Sequence, residues 1–173
     1  MVALGLAAGR VRLVSSHGEW ADEFAREKTA IVAAMDGLAL GIEHVGSTAV
    51  AGIPAKPILD VLVGVQSFER AATTIGPLEA LGYQYRGEFG IARRHYFVKG
   101  DPRTHHLHMV EITSTDWRKT VVFRDLLRSD AVARREYADA KMQLAAMYAE
   151  DRSSYQQEKN RVIERILREA GRS

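Results

Sequence analysis

One segment constrains this chain more than any other: Glu43-His44-Val45-Gly46-Ser47-Thr48-Ala49-Val50-Ala51-Gly52-Ile53-Pro54-Ala55-Lys56-Pro57-Ile58-Leu59-Asp60-Val61-Leu62-Val63. A strand over 40–45 breaks at Gly46-Ser47-Thr48, passes through a turn punctuated by Gly52, Pro54 and Pro57, and resumes as an almost wholly apolar strand from Ile58 to Val65. β-Branched and leucine side chains on both faces place that second strand in the middle of a sheet. Asp60 is the exception in it, sharing a face with Ile58 and Leu62. A carboxylate there is expensive unless it is hydrogen-bonded, paired or metal-bound. Glycine at 46 lets the backbone approach a ligand closely. Ser47 and Thr48 supply hydroxyls, and amides at the start of a following helical turn favour an anion. Lys56 adds a positive charge. These groups together suit a nucleoside triphosphate with Mg²⁺. The bland alternative is a common turn followed by an aspartate that caps a neighbouring loop, and spacing alone does not separate the two. The Gly-x-x-x-x-Gly-Lys-Ser/Thr order of a Walker A loop is absent.

The rest of the chain divides by character. Residues 11–14 read as a short strand. Residues 19–35 read as a helix with Trp20, Phe24, Ala30, Ile31 and Met35 on one stripe, ended by Gly37. Ser67 caps a helix that Gly76-Pro77 interrupts. Strands are expected near 82–86, 93–99 and 105–113. From Ser114 onward the periodicity becomes helical, with helices over 116–128, 131–149 and 153–169 and Ser114, Asp130 and Asp151 near their starts. The expectation is an α+β fold: a strand-rich core over 1–113 and a helical subdomain over 114–173.

Composition removes several classes. The 173 residues contain no cysteine, which excludes disulfide scaffolds, thiolate metal sites and cysteine nucleophiles, and fits a cytoplasmic protein. No run is apolar enough for a membrane span. The opening Met1 to Ala8 lacks the basic flank of a signal peptide. A net charge of +2 is too balanced to imply a nucleic-acid partner.

The run His44-Val45-Gly46-Ser47-Thr48-Ala49-Val50-x-Gly52-x-Pro54-Ala55-Lys56-Pro57-Ile58-x-Asp60 resembles the signature of the GrpB family, whose members stand alone or are fused to dephospho-CoA kinase and resemble nucleotidyltransferases of the DNA polymerase beta type. The likeness extends from about residue 11 to 167. It takes in Trp20 and Phe24, the strand His105-His106-Leu107-His108-Met109-Val110, and Trp117, Phe123, Arg124, Asp125, Leu127, Arg128, Tyr137, Lys141, Tyr155 and Lys159 of the helical third. The resemblance implies a mixed sheet flanked by helices, with Gly46 and Ser47 on the phosphates and Asp60 on a metal, Mg²⁺ or Mn²⁺. The superfamily pattern places a second carboxylate two residues after the first, and here that residue is Leu62. Two-metal phosphoryl transfer uses several carboxylates.

Glu111 is the first candidate substitute, on a strand face with Leu107 and Met109; Glu43, beside the Gly-Ser turn, is the second. His106 and His108, two residues apart, share a strand face and have usable metal-ligand or acid–base spacing, with His44 and His95 as possible additions. Packing histidines are the commoner case. Tyr137, Lys141, Leu144 and Tyr148 form one helical stripe, and Tyr155, Lys159, Val162 and Ile166 form another. Each is interrupted by one lysine, which either snorkels or faces phosphate. Arg124 and Arg152 are secondary cations, Arg93 and Arg94 are steering or solvated groups, and Trp20 and Trp117 belong to the core.

The expected function is therefore metal-dependent nucleotidyl transfer from a nucleoside triphosphate to an unidentified small-molecule acceptor. Asp60, Glu111, His106 and His108 carry the chemistry, with metal on Asp60 and Glu111. Gly46, Ser47, Thr48, Lys56, Lys141 and Lys159 bind the nucleotide. Two other classes stand beside it: a non-catalytic nucleotide or coenzyme-binding module, and a metal-dependent hydrolase built on His44, His106 and His108. Neither the acceptor nor the oligomeric state is legible.

Overall fold

The computed structural model describes residues 4–7, 11–15 and 18–171. Part of the opening apolar stretch, Met1 to Ala3 and Ala8, lies outside the described residues. The elements are α1 (Glu19–Met35), β1 (Ala39–Val45), a 3₁₀ turn (Ser47–Ala49), β2 (Leu59–Val65), α2 (Phe68–Ala71), a second 3₁₀ turn (Ala72–Thr74), α3 (Ile75–Ala80), β3 (Tyr83–Tyr85), β4 (His95–Lys99), β5 (His105–Glu111), α4 (Thr115–Ser129), α5 (Ala131–Met147) and α6 (Arg152–Glu169). The expected strand over 11–14 is reduced to a single bridge between Val14 and Ala55. The break after Ser67 falls at Ala72–Thr74 rather than at Gly76-Pro77. Pro77 instead lies in the first turn of α3, where a missing N–H leaves no helical bond unmade.

The strands form one mixed five-stranded sheet in the order β1-β2-β5-β4-β3. β2 is antiparallel to β1 and parallel to β5, while β4 is antiparallel to both β5 and β3. As its composition requires, β2 lies inside the sheet. The period-2 alternation gives the sheet two different faces. On one, Ile42, Val61, Val63, Phe97, Leu107 and Met109 pack with Ile31 and Met35 of α1 and Leu78 of α3 in the main core. On the other, Val45, Leu62 and Val110 are covered by Trp117 and Val121 of α4. Gly64 makes room for this helix, because a Cβ there would lie 2.8 Å from the Trp117 ring.

Three capped starts build the helical third. Ser114 accepts the Trp117 N–H, Asp130 those of Val132 and Ala133, and Asp151 that of Ser154. Helices α4, α5 and α6 share a core with the loop after β1: Val50 and Ile53 pack with Leu126, Leu127, Tyr137, Ile166 and Leu167. The loop carrying Ser47 is thus clamped between sheet and helices. Among the described residues, no helix is long and apolar enough to cross a membrane.

Candidate functional site

The site begins at the turn after β1. Gly46 has φ 70° and ψ −172°, a conformation that glycine adopts without a Cβ penalty. A Cβ here would also lie 2.5 Å from Oδ2 of Asp60. The turn and the carboxylate are therefore in direct contact, and residue 46 has no room for a side chain. Ser47 follows at the first position of the 3₁₀ turn, where its hydroxyl accepts a hydrogen bond from Lys141 Nζ at 2.6 Å. The same ammonium donates to the Pro54 carbonyl at 2.7 Å and lies over the Tyr137 ring at 5.4 Å.

Lys141 is 3% exposed. Burial and the neighbouring Lys159 and Lys56 hold its ammonium well below the usual lysine range. Burial, with Lys159 and Arg152, lowers Lys56 to about 7; its Nζ lies 5.3 Å from the Tyr155 ring centroid. Lys159 is lowered by burial and by Arg152, while Asp60 acts in the opposite direction. Three lysines from the β1–β2 loop, α5 and α6 therefore converge within electrostatic reach of one another and of Asp60. Crowded, dehydrated cations of this kind repel one another, and a neighbouring anion relieves that cost.

Asp60 projects from β2 toward the same space. Its Oδ1 accepts from His106 Nδ1 at 2.9 Å and lies 3.7 Å from His108 Nε2. The parallel register sets this arrangement: Asp60 pairs with His106 and Leu62 with His108, so all four side chains share one face. Burial pushes the Asp60 carboxyl up, but hydrogen bonds from His106 and His108 outweigh it and hold the group well below the usual carboxylate range. Burial lowers the His106 imidazole below its ordinary value despite its bond to Asp60. Asp60, His106 and His108 each offer one donor atom within 4.8 Å of the others.

Two further residues frame this group. Tyr96 of β4 pairs with His108, and its ring centroid lies 5.1 Å from that of His108 and 5.8 Å from that of His106. Arg94 approaches His108 Nδ1 at 3.4 Å and donates to the carbonyls of Glu88 and Phe89. Strand alternation across β4 was the available sequence signal for Tyr96, which sequence reasoning missed. Arg93, expected on a strand, precedes β4 at φ 61° and bridges Glu69 and Glu111.

Several expected participants are not brought to this site. Glu111 is on the opposite face of β5 from His106 and His108, paired with Arg93 at 2.9 Å, so it does not serve as a second carboxylate at Asp60. Arg93 holds its carboxyl below the ordinary value. Glu43 shares the site's face but is bound by Arg124 at 2.5 Å. Thr48, expected on the nucleotide, is buried with its hydroxyl 2.9 Å from His44 Nε2. His44 is on the far face, stacked on Phe24 at 4.8 Å, and burial lowers it to about 4. His95 bonds to the Tyr85 hydroxyl and the Phe68 carbonyl. The hydrolase centre of His44, His106 and His108 is therefore not assembled. Leu62 is 3% exposed under α4, so the position of the missing carboxylate is part of the apolar core.

The site thus combines one carboxylate, two imidazoles and a hydroxyl with a lysine cluster. A mixed sheet with an aspartate on a central strand beside a Gly-Ser turn defines a nucleotidyltransferase-like fold. In agreement, the Cid1 poly(U) polymerase in a MgGTP-bound crystal structure superposes with TM-score 0.50 at 17% identity, over 84% of this chain and 50% of that one. The family model for GrpB protein matches residues 10–169, and the chain belongs to the GrpB family. The crystal structure of conserved protein GrpB from Enterococcus faecalis gives TM-score 0.83 at 30% identity, covering 92% of this chain and 99% of that one. A UPF0157 protein of Pseudomonas aeruginosa is 40% identical over 163 residues, 91% of this chain. The UPF0157 protein YqkA of Bacillus subtilis is 37% identical over 155 residues, 89% of this chain. The chain spans 66% and 45% of the lengths of these two relatives, respectively.

Proposed function

We propose that the cleft binds a nucleoside triphosphate and that the protein transfers the nucleotidyl group to a small-molecule acceptor. The observation that carries this reading is the cluster of Lys56, Lys141 and Lys159 around Asp60, with Lys141 bonded to Ser47. A triphosphate would relieve the mutual repulsion of the lysines. In the reaction, an acceptor oxygen attacks the α-phosphorus and pyrophosphate departs. The charge accumulating on pyrophosphate is met by the lysines, whose fixed positions stabilise it without reorganisation. Ser47, held by Lys141, orients the phosphate chain. A divalent cation at Asp60 would supply further charge neutralisation. The nucleotide bound in the Cid1 structure is consistent with this use of the fold.

Leu62 favours a second reading, nucleotide binding without turnover, because its apolar site leaves Asp60 without a carboxylate two residues away. Two assays separate the readings. Thermal-shift measurements with the four nucleoside triphosphates, with and without Mg²⁺ or Mn²⁺, report binding; pyrophosphate release in the presence of an acceptor panel reports transfer. Transfer predicts release that is lost in Asp60→Asn. Release that persists in that variant would sink the transfer reading, while a nucleotide-dependent shift with no release would favour the binding module. No shift with any nucleotide would overturn both.

A further inference from the structure

We infer that Asp60, His106 and His108 form a single-ion site for a borderline transition metal such as Zn²⁺ or Co²⁺, in place of a carboxylate-bound Mg²⁺ pair. The inference rests on the same cleft as the proposed function and names its metal.

The separations of Asp60 from the two histidines fit one ion. Two ligands about 2.1 Å from one ion, subtending about 90–120°, lie about 3.0–3.6 Å apart. Asp60 Oδ1 is 2.9 Å from His106 Nδ1 and 3.7 Å from His108 Nε2. The chemistry of the donors also discriminates. Mg²⁺ takes oxygen ligands in near-ideal octahedral geometry and is bound through carboxylates and phosphates. Imidazole suits zinc, copper, iron and nickel, and two histidines with one carboxylate form a set that leaves coordination positions open. Neither Glu43 nor Glu111 joins them: Glu43 is paired with Arg124, and Glu111 is paired with Arg93 on the opposite face of the sheet.

The His106 side chain is only 10% exposed, and Nδ1 is the ring nitrogen turned toward Asp60 Oδ1, so the buried ring is held with a donor atom on the side where the ion would sit. The residues around the ion would have fixed roles. Asp60 offers Oδ1 while its Oδ2 remains against the Gly46 turn, and Tyr96 backs both rings. Arg94, now 3.4 Å from His108 Nδ1, would yield that contact when Nε2 takes the metal.

The test uses metal alone, without nucleotide. Chelator-stripped full-length protein is dialysed against Zn²⁺, Mn²⁺ or Mg²⁺, and bound metal is counted by mass spectrometry. We expect one equivalent of Zn²⁺, held at least about tenfold more tightly than Mg²⁺. Co²⁺ should give visible absorption bands that Zn²⁺ abolishes. His108→Gln should weaken Zn²⁺ binding by at least about 100-fold, the upper end of what the loss of a supporting partner costs, whereas Glu111→Gln should leave it unchanged. His108 is the more exposed imidazole, and a circular-dichroism melt checks that its variant is folded. If it is not, the Co²⁺ spectrum and the Zn²⁺/Mg²⁺ preference of the wild-type protein decide alone. Equal affinity for Mg²⁺ and Zn²⁺, no cobalt bands, or full Zn²⁺ binding by folded His108→Gln would overturn the assignment. Triphosphate binding to stripped protein would still support the cleft's function if the metal assignment failed. Tight Zn²⁺ binding without any nucleotide binding would do the reverse.

Discussion

Gly46 shows how tightly single residues are constrained at this site. Its φ of 70° and the 2.5 Å separation between a hypothetical Cβ and Asp60 Oδ2 act together. Gly46→Ala should therefore cost about 1–3 kcal/mol of stability, measured by urea denaturation, and should displace the carboxylate that the turn now touches. Lys141 presents the opposite balance. Its ammonium is buried among Lys56 and Lys159, so the folded state bears its dehydration and repulsion. Lys141→Met gives up the bonds to Ser47 and Pro54 but removes that burden. Its unfolding free energy should be unchanged or higher by about 1–3 kcal/mol. A clear loss of stability would mean that the lysine is a structural strut rather than a ligand group.

The elements show which parts of the site were legible before the structure. The apolar run of β2 and the capped helices of the last third were readable because periodicity and caps are local signals. Lys141 and Lys159 stood out for a related reason, as charges in otherwise apolar or aromatic stripes. Glu111 was misplaced because the alternation of β5 says which residues share a face but not which face meets Asp60. Only the β2–β5 register decides that, and it puts His106 and His108 on the site's side. His44 and Thr48 were obscured in the same way: alternation does not say which face of β1 meets Asp60, and His44 lies on the far one, bonded to Thr48 and stacked on Phe24 of α1. Leu62 is informative for the opposite reason, since its sequence position suggests a carboxylate and its packing forbids one. Leu62→Asp would bury an unpaired charge beside Val45, Val110 and Trp117. It should destabilise the protein by about 3–5 kcal/mol rather than restore a second metal ligand. A stable, folded variant in thermal denaturation would contradict this packing argument.

At the scale of the whole molecule, the sheet contributes Asp60 and the two histidines, the β1–β2 loop contributes Ser47 and Lys56, and α5 and α6 contribute Lys141 and Lys159. The site is thus the meeting place of parts that are distant in sequence, and its charge makes it sensitive to pH. Lys56 falls from its ordinary 10.5 to about 7, chiefly through burial and then through Lys159 and Arg152. Between those values the unfolded chain binds the proton more strongly than the folded one, so this group's contribution to ligand-free stability rises with pH from about 7 toward 10.5. An anion in the cleft favours protonated Lys56, so triphosphate affinity should move the other way. It should strengthen as pH falls from 9 toward 7, with proton uptake on binding. Calorimetry in buffers of different ionisation enthalpy would detect that uptake, and proton release would contradict the arrangement of charges.

The most direct test of the central claim is a calorimetric titration of a non-hydrolysable nucleoside triphosphate into wild-type protein and Lys141→Met, both with Mn²⁺. Saturable binding by the wild type is expected, with a loss of at least about tenfold in affinity, about 1.4 kcal/mol, in a variant that remains folded. No binding by the wild type, or equal binding by both proteins, would mean that the lysine-lined cleft is not a triphosphate site.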